Sequence, residues 1–158
     1  MDVIGPIELI ASNGHRFILV AIDYFMKWME ATTFESVTKK AVVDFIHSNI
    51  IYRFGIPKII ITYNAIMHQN STPYRPKANG AVEAASKNLK KILHKMVQGS
   101  RQWHEKLHFA LLGYRTIVWT SIGATPYLLV DGTKAVTPAE IEILSLRVFE
   151  EAEVGDDQ

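Results

Sequence analysis

Glu83 is the only acidic residue between Phe45 and His104, a stretch of sixty residues that also holds nine lysines and arginines. One carboxylate in a basic field suits a metal-binding group beside a polyanion: phosphates attract cations, while a divalent ion needs an anionic ligand. The same residue has a plainer reading, because an acid near a helix N-terminus is favoured by the helix dipole and by a lysine four residues on, here Lys87. Two further acids, Asp2 and Asp23, fall near the ends of apolar runs that read as strands. Carboxylates so placed can serve two-metal phosphoryl transfer, in which divalent ions ~4 Å apart stabilise the attacking and the leaving oxygen. Magnesium is the natural ion for such oxygen ligands. Asp23, followed by Tyr24, reads better as a turn cap. His104 and His108 are four apart but lack the Glu-x-x-His setting of a zinc helix. Trp28, Trp103 and Trp119 read as core or interface anchors.

The chain that must position these groups has 158 residues, 48% of them hydrophobic, which suits one domain with a sizeable core. No run of 18 apolar residues occurs, so no membrane span is expected. The opening Met1-Asp2-Val3-Ile4-Gly5-Pro6 does not read as a signal peptide. The absence of cysteine excludes disulfides and thiolate metal sites, which fits an intracellular protein. The net charge of +1 conceals a segregation: residues 131–158 hold eight acids against Lys134 and Arg147. Residues 1–147 are therefore expected to form the domain and 148–158 a disordered acidic tail.

Periodicity predicts strands first and helices later. Val3 to Ile10 is β-rich though broken by Gly5-Pro6, Ser12-Asn13-Gly14 marks a hairpin turn, and Arg16 to Asp23 reads as a buried strand. Trp28 to Thr33 makes a third, so an antiparallel meander is expected. A helix capped by Thr38 and stopped at Gly55-Ile56-Pro57 leads to Lys58 to Thr62 (KIIIT), expected as a short parallel strand. Residues 70–80, with two prolines and Asn79-Gly80, read as loop. They feed an amphipathic helix with Val82, Leu89, Ile92, Leu93 and Met96 on one face and Glu83, Lys87, Lys90, Lys91 and His94 on the other. A helix from about Arg101 to Tyr114 and a short one opened by Thr125-Pro126 complete the chain.

Several blocks together resemble a known family. MDVIGPI, GHRFILVAIDYFMKWMEA, FGIPKIIIT, NSTPYRPKANGAVEAASKNLKKIL, QWHEKLHFALLGYRT and TSIGATPYLLVDGT look like the integrase core of gypsy-type long-terminal-repeat retrotransposons. That core belongs to the retroviral integrase and DDE transposase superfamily, with its ribonuclease H-like fold. The resemblance implies an α/β fold, a mixed sheet flanked by helices, and metal-dependent strand transfer that joins a DNA 3′-hydroxyl to a target phosphodiester. It places the first catalytic and metal-binding Asp on Asp2 and the catalytic Glu on Glu83. It also implies Mg²⁺ or Mn²⁺ as cofactor, action as a homo-oligomer, and a nuclear location. DNA is the implied partner, held mainly by its phosphates through Arg75, Lys77, Lys87, Lys90 and Lys91; without the resemblance Lys87, Lys90 and Lys91 read better as a solvated helix face.

The sequence departs from the family at the second Asp. Where the family has I-T-D-N-G, this chain has Ile61-Thr62-Tyr63-Asn64-Ala65, and a phenol with a pKa near ~10 is a poor bridging ligand. Only 19 residues separate Tyr63 from Glu83, too few for the family's intervening helix and edge strand. A four-strand sheet lacking the fifth, edge strand and one helix is therefore expected, with Lys58 to Thr62 at an edge. The ancestral role is DNA integration, and this copy is expected to have lost catalysis. The alternative is a non-catalytic nucleic-acid-binding or protein-interaction module.

Overall fold

The computed structural model describes residues 1–62 and 76–135. Three antiparallel strands form the sheet in the order β1 (Asp2–Ile4), β2 (Phe17–Ile22), β3 (Met29–Phe34). In the register Asp2 lies opposite Val20, and Val20 lies opposite Ala31. The strand β1 is shorter than its apolar run because Gly5 turns the chain at φ 131°. A Cβ there would stand 2.7 Å from the Arg16 carbonyl oxygen, so only glycine fits. At the next turn, Ser12 and Trp103 tie the long β1–β2 connection to the start of the fourth helix: Ser12 N donates to Arg101 O at 2.8 Å, and Trp103 Nε1 donates to Leu9 O at 2.8 Å.

The helix α1 (Lys39–Phe45) opens on Thr38, whose hydroxyl accepts from Ala41 N at 3.1 Å. It runs into a π-helical segment, Ile46–Ile51, and a last turn, α2 (Tyr52–Phe54), ended by Gly55 at φ 84°. Beyond it come α3 (Pro76–Val97), α4 (Trp103–Arg115) and α5 (Pro126–Asp131), the last capped by Thr125 and closed by Gly132. The strand β2 is buried on both faces, which explains its unbroken apolar run. Ile18 and Val20 join Ile4, Met29 and Ala31 against Ala85, Leu89 and Ile92 of α3 and Leu107, Leu111 and Tyr114 of α4. Leu19 and Ala21 face the other way, onto Val42 and Phe45 of α1. Three strands with helices on both faces make an α/β arrangement compatible with part of a ribonuclease H-like fold.

Two expectations change. Among the described residues, 58–62 are not part of a strand, although the Met1 nitrogen donates to Ile61 O. Ile60 packs on the α1 cluster while Ile59 stays 60% exposed. Apolarity alone does not separate a paired strand from an extended segment that buries one side chain in passing. The described sheet thus has three strands and is antiparallel. Residues 76–80 are helical, since a proline is tolerated at the first helical position, where its missing N–H has no partner to lose. The segment where a fifth strand and its helix would fall, residues 63–75, and the acidic tail 148–158 lie outside the described residues. No described helix is long and apolar enough to cross a membrane.

One buried charge binds the periphery together. Glu30 is 5% exposed, and its Oε1 accepts from Trp28 Nε1 at 2.7 Å and from Arg53 of α2 at 2.7 Å, with Arg115 of α4 at 3.2 Å. Arg115 also donates from Nε to Met29 O at 2.9 Å, and its guanidinium lies 4.2 Å over the Trp28 ring. Burial pushes the Arg115 guanidinium below its ordinary pKa, and the charge of Glu30 opposes that shift. Stripping one partner from a buried pair costs ~3–5 kcal/mol. Glu30→Ala is therefore expected to lower the unfolding free energy by about 3 kcal/mol in a urea titration. A loss under about 1 kcal/mol, typical of an exposed pair, would show that the cluster does not hold β3, α2 and α4 together.

Candidate functional site

The strand β1 and helix α3, which carry Asp2 and Glu83, are in contact. Side chains alternate along β1: Val3 packs on the α1 side and Ile4 on the α3 side, so Asp2 shares the side of Ile4. Asp2 is half-buried, and its Oδ1 accepts from the amide of the next residue, Val3, at 2.8 Å. On α3 the buried line runs through Val82, Ala85, Ser86, Leu89, Ile92 and Leu93. Glu83, one residue on from Val82, is turned by 100° to the flank of the helix.

There it meets a cation. Glu83 Oε1 stands 3.2 Å from Lys87 Nζ, with the two side chains 55% and 69% exposed. The pairing is the one that the i, i+4 spacing allows. Lys90, Lys91 and His94 continue the exposed face along α3. The lysine face is thus present in the geometry, with Glu83 inside it. Lys77 lies in the first turn of α3, while Arg75 and Tyr63 lie outside the described residues.

The resemblance implies that Asp2 and Glu83 hold metal in a two-ion site. Such a site needs several carboxylates converging on both ions. Among the described residues no three of His, Cys, Asp or Glu come together in a way that could hold a metal. Glu83 is paired with Lys87 instead of with another acid among the described residues.

Asp23 is a turn cap: its Oδ1 accepts from Phe25 N at 2.9 Å and from Met26 N at 2.7 Å. His104 Nε2 stands 3.9 Å from Glu105, and the His108 ring lies 4.0 Å from that of Phe109. Trp28 and Trp103 are buried, and Trp119 packs half-buried against the core. Two features escape the sequence reading. Glu30 is one, an acid inside a strand whose neighbours Met29 and Ala31 are buried, and that contrast was the available signal. The exposure of the adjacent Tyr24 and Phe25 in the turn between β2 and β3 is the other.

No protein-family model matches the chain. The chain is similar to the Gag-Pol polyprotein of Koala retrovirus, 33% identical over 137 residues that cover 75% of this chain and 8% of that polyprotein. It is 31% identical to the Pol polyprotein of Feline endogenous virus ECE1, over 137 residues covering 75% of this chain and 13% of that one. The Pol polyprotein of Radiation murine leukemia virus (strain Kaplan) is also 31% identical over 137 residues, covering 75% of this chain and 23% of the polyprotein. The chain spans less than a quarter of the length of each of these relatives.

The geometry around Glu83 generates a stability prediction. An exposed i, i+4 pair contributes ~0.3–0.5 kcal/mol. Glu83→Gln is therefore expected to shift the unfolding free energy by no more than about 0.5 kcal/mol in a urea titration. A loss above about 2 kcal/mol would mean that Glu83 has a buried structural role that its exposure denies.

Proposed function

The chain is a retroviral-type, Pol-derived domain, homologous to a segment of retroviral Pol polyproteins, and we propose that it is an integrase-like core that binds nucleic acid through α3 and has lost strand-transfer chemistry. The gypsy-type assignment within that family rests on the sequence blocks alone. The observation that carries the binding reading is the face of α3 turned away from the core. Lys87, Lys90, Lys91 and His94 are all exposed there, while Val82, Ala85, Leu89 and Ile92 hold the opposite face in the core. From Lys87 to His94 the helix rises ~10 Å, about three base-pair steps of a duplex. A rigid helix so anchored presents its cations without the entropy cost of ordering a loop. The contacts would go to phosphates, so binding is salt-sensitive and indifferent to sequence.

Loss of catalysis is supported by chemistry rather than by any missing ion. The family position of the second Asp is Tyr63, a neutral phenol at pH 7, and no Asp or Glu occurs from Phe45 through Val82 to replace it. Asp2 and Glu83 alone give two ions too few anionic ligands.

Two measurements test the halves separately. Replacing Lys87, Lys90 and Lys91 with Ala is expected to weaken binding to duplex DNA and to reduce the slope of log K against log[salt] by about two to three units, near 0.9 per phosphate contact. An unchanged slope removes α3 as the interface. In a strand-transfer assay with Mg²⁺ or Mn²⁺, no joined product is expected; product that disappears in Glu83→Gln would overturn the loss of catalysis.

A further inference from the structure

The turn between β2 and β3 is built to hold an aromatic side chain out in solvent. Phe25 is 80% exposed, yet its backbone is fixed. Asp23 Oδ1 takes the amides of Phe25 and Met26 at 2.9 and 2.7 Å, Lys27 N donates to Asp23 O at 3.0 Å, and Asp23 N donates to Trp28 O at 2.8 Å. Lys27 closes the turn at φ 56°, a left-handed conformation uncommon for a residue with a Cβ. Its ammonium donates to Tyr24 O at 2.6 Å and sits 4.6 Å from the Tyr24 ring centroid. Tyr24 in turn meets Phe25 edge-on, with centroids 5.4 Å apart. Two aromatic rings and an ammonium are thus locked at the tip of a hairpin.

The size of this tip decides what it can hold. Trp28 is buried and Met26 half-buried, so among the turn's own residues, 23–28, the exposed large apolar side chains are Tyr24 and Phe25. A stable protein partner needs roughly 800 Å² per side. Two rings fall well short of that, but one ring matches the face of one nucleobase. The neighbouring Lys27 supplies the cation that a phosphate requires. The place in the fold agrees. Asp2 lies opposite Val20, and the turn begins three residues beyond Val20 on the same end of the sheet, about 10 Å of strand away.

We infer that the β2–β3 turn is a stacking finger, on which Phe25 takes the face of an unpaired base at a nucleic-acid end lying near Asp2, with Lys27 beside the adjoining phosphate. This rests on the reading of the chain as a nucleic-acid-binding core and adds to it a preference for frayed or single-stranded ends. A base–aromatic stack is tolerant of sequence, because every base has a π-face.

The test compares a blunt duplex with the same duplex carrying a short unpaired 3′ overhang, by fluorescence anisotropy at one salt concentration. The wild-type chain is expected to prefer the overhang by about tenfold, the effect of one such stack. Phe25→Ala is expected to abolish that preference while leaving blunt-duplex affinity and the melting temperature unchanged, and Phe25→Trp to keep it. With 2-aminopurine in the overhang, quenching on binding should be seen for the wild type and lost in Phe25→Ala. The finger is overturned if the wild type shows no preference, if Phe25→Ala retains it, or if Phe25→Ala weakens both probes equally. If the α3 lysine variant loses the blunt duplex while Phe25→Ala changes neither probe, the finger alone falls. If the wild type binds neither probe, the nucleic-acid reading falls with it.

Discussion

A strand buried on both faces has to be covered twice, and β2 imposes that demand on everything around it. Ile18 and Val20 require an apolar helix layer on one side, and Leu19 and Ala21 require another on the opposite side. The first layer is supplied by α3 and α4, the second by α1 and the π-helical segment. Because α3 contributes only one stripe to that contact, its outer face is left to water, and every cation on it is there without cost to the core. Exposure of Lys87, Lys90 and Lys91 follows from the covering of β2.

The same geometry shows which parts of the fold could be read in advance. Strand and helix identities followed from period: FILVAI for β2, Trp103-Leu107-Ala110-Leu111-Tyr114 for α4, and Thr38 and Thr125 for two caps. The cluster of Glu30, Arg53 and Arg115 could not, since three charges drawn from β3, α2 and α4 have no period and no fixed spacing. KIIIT misled because its composition suits a strand, whereas pairing depends on a neighbour's register and not on composition. Pro76 misled in the other direction, as proline breaks a helix interior but fits its first turn. For the site, the lysine face and the position of Glu83 on its flank were legible from helical spacing. Phe25 was not, because exposure of an apolar side chain depends on where its neighbours Met26 and Trp28 turn.

Edge protection links the charge cluster to the sheet. Among the described residues the order is β1-β2-β3 and β3 is an edge, where an unpaired carbonyl invites pairing with another chain. Arg115 occupies the Met29 carbonyl with its guanidinium while resting on Trp28 and answering Glu30. A buried carboxylate that would be a burden alone becomes part of how α4 closes that edge. The net worth of such a cluster over an apolar substitute is small, whereas removing one member leaves the rest uncompensated. The cluster is therefore better understood as specifying where α4 and α2 dock than as adding stability.

The residues that hold the fold and those that the family resemblance assigns to catalysis are physically independent. Asp2 makes a local hydrogen bond to its neighbour's amide, and Glu83 an exposed ion pair within its own helix. Among the described residues neither of these bonds joins two elements, unlike the contacts of Glu30, Phe45 or Tyr114. A carboxylate that converges on a metal ion repels its fellow ligands when the ion is absent, so such a group opposes folding slightly more than it supports it. Replacing one such carboxylate with a neutral side chain removes a repulsion. On this argument a domain of this kind can lose its chemistry at little cost in stability. A basic helix such as α3 would stay in place, because its buried stripe packs in the core.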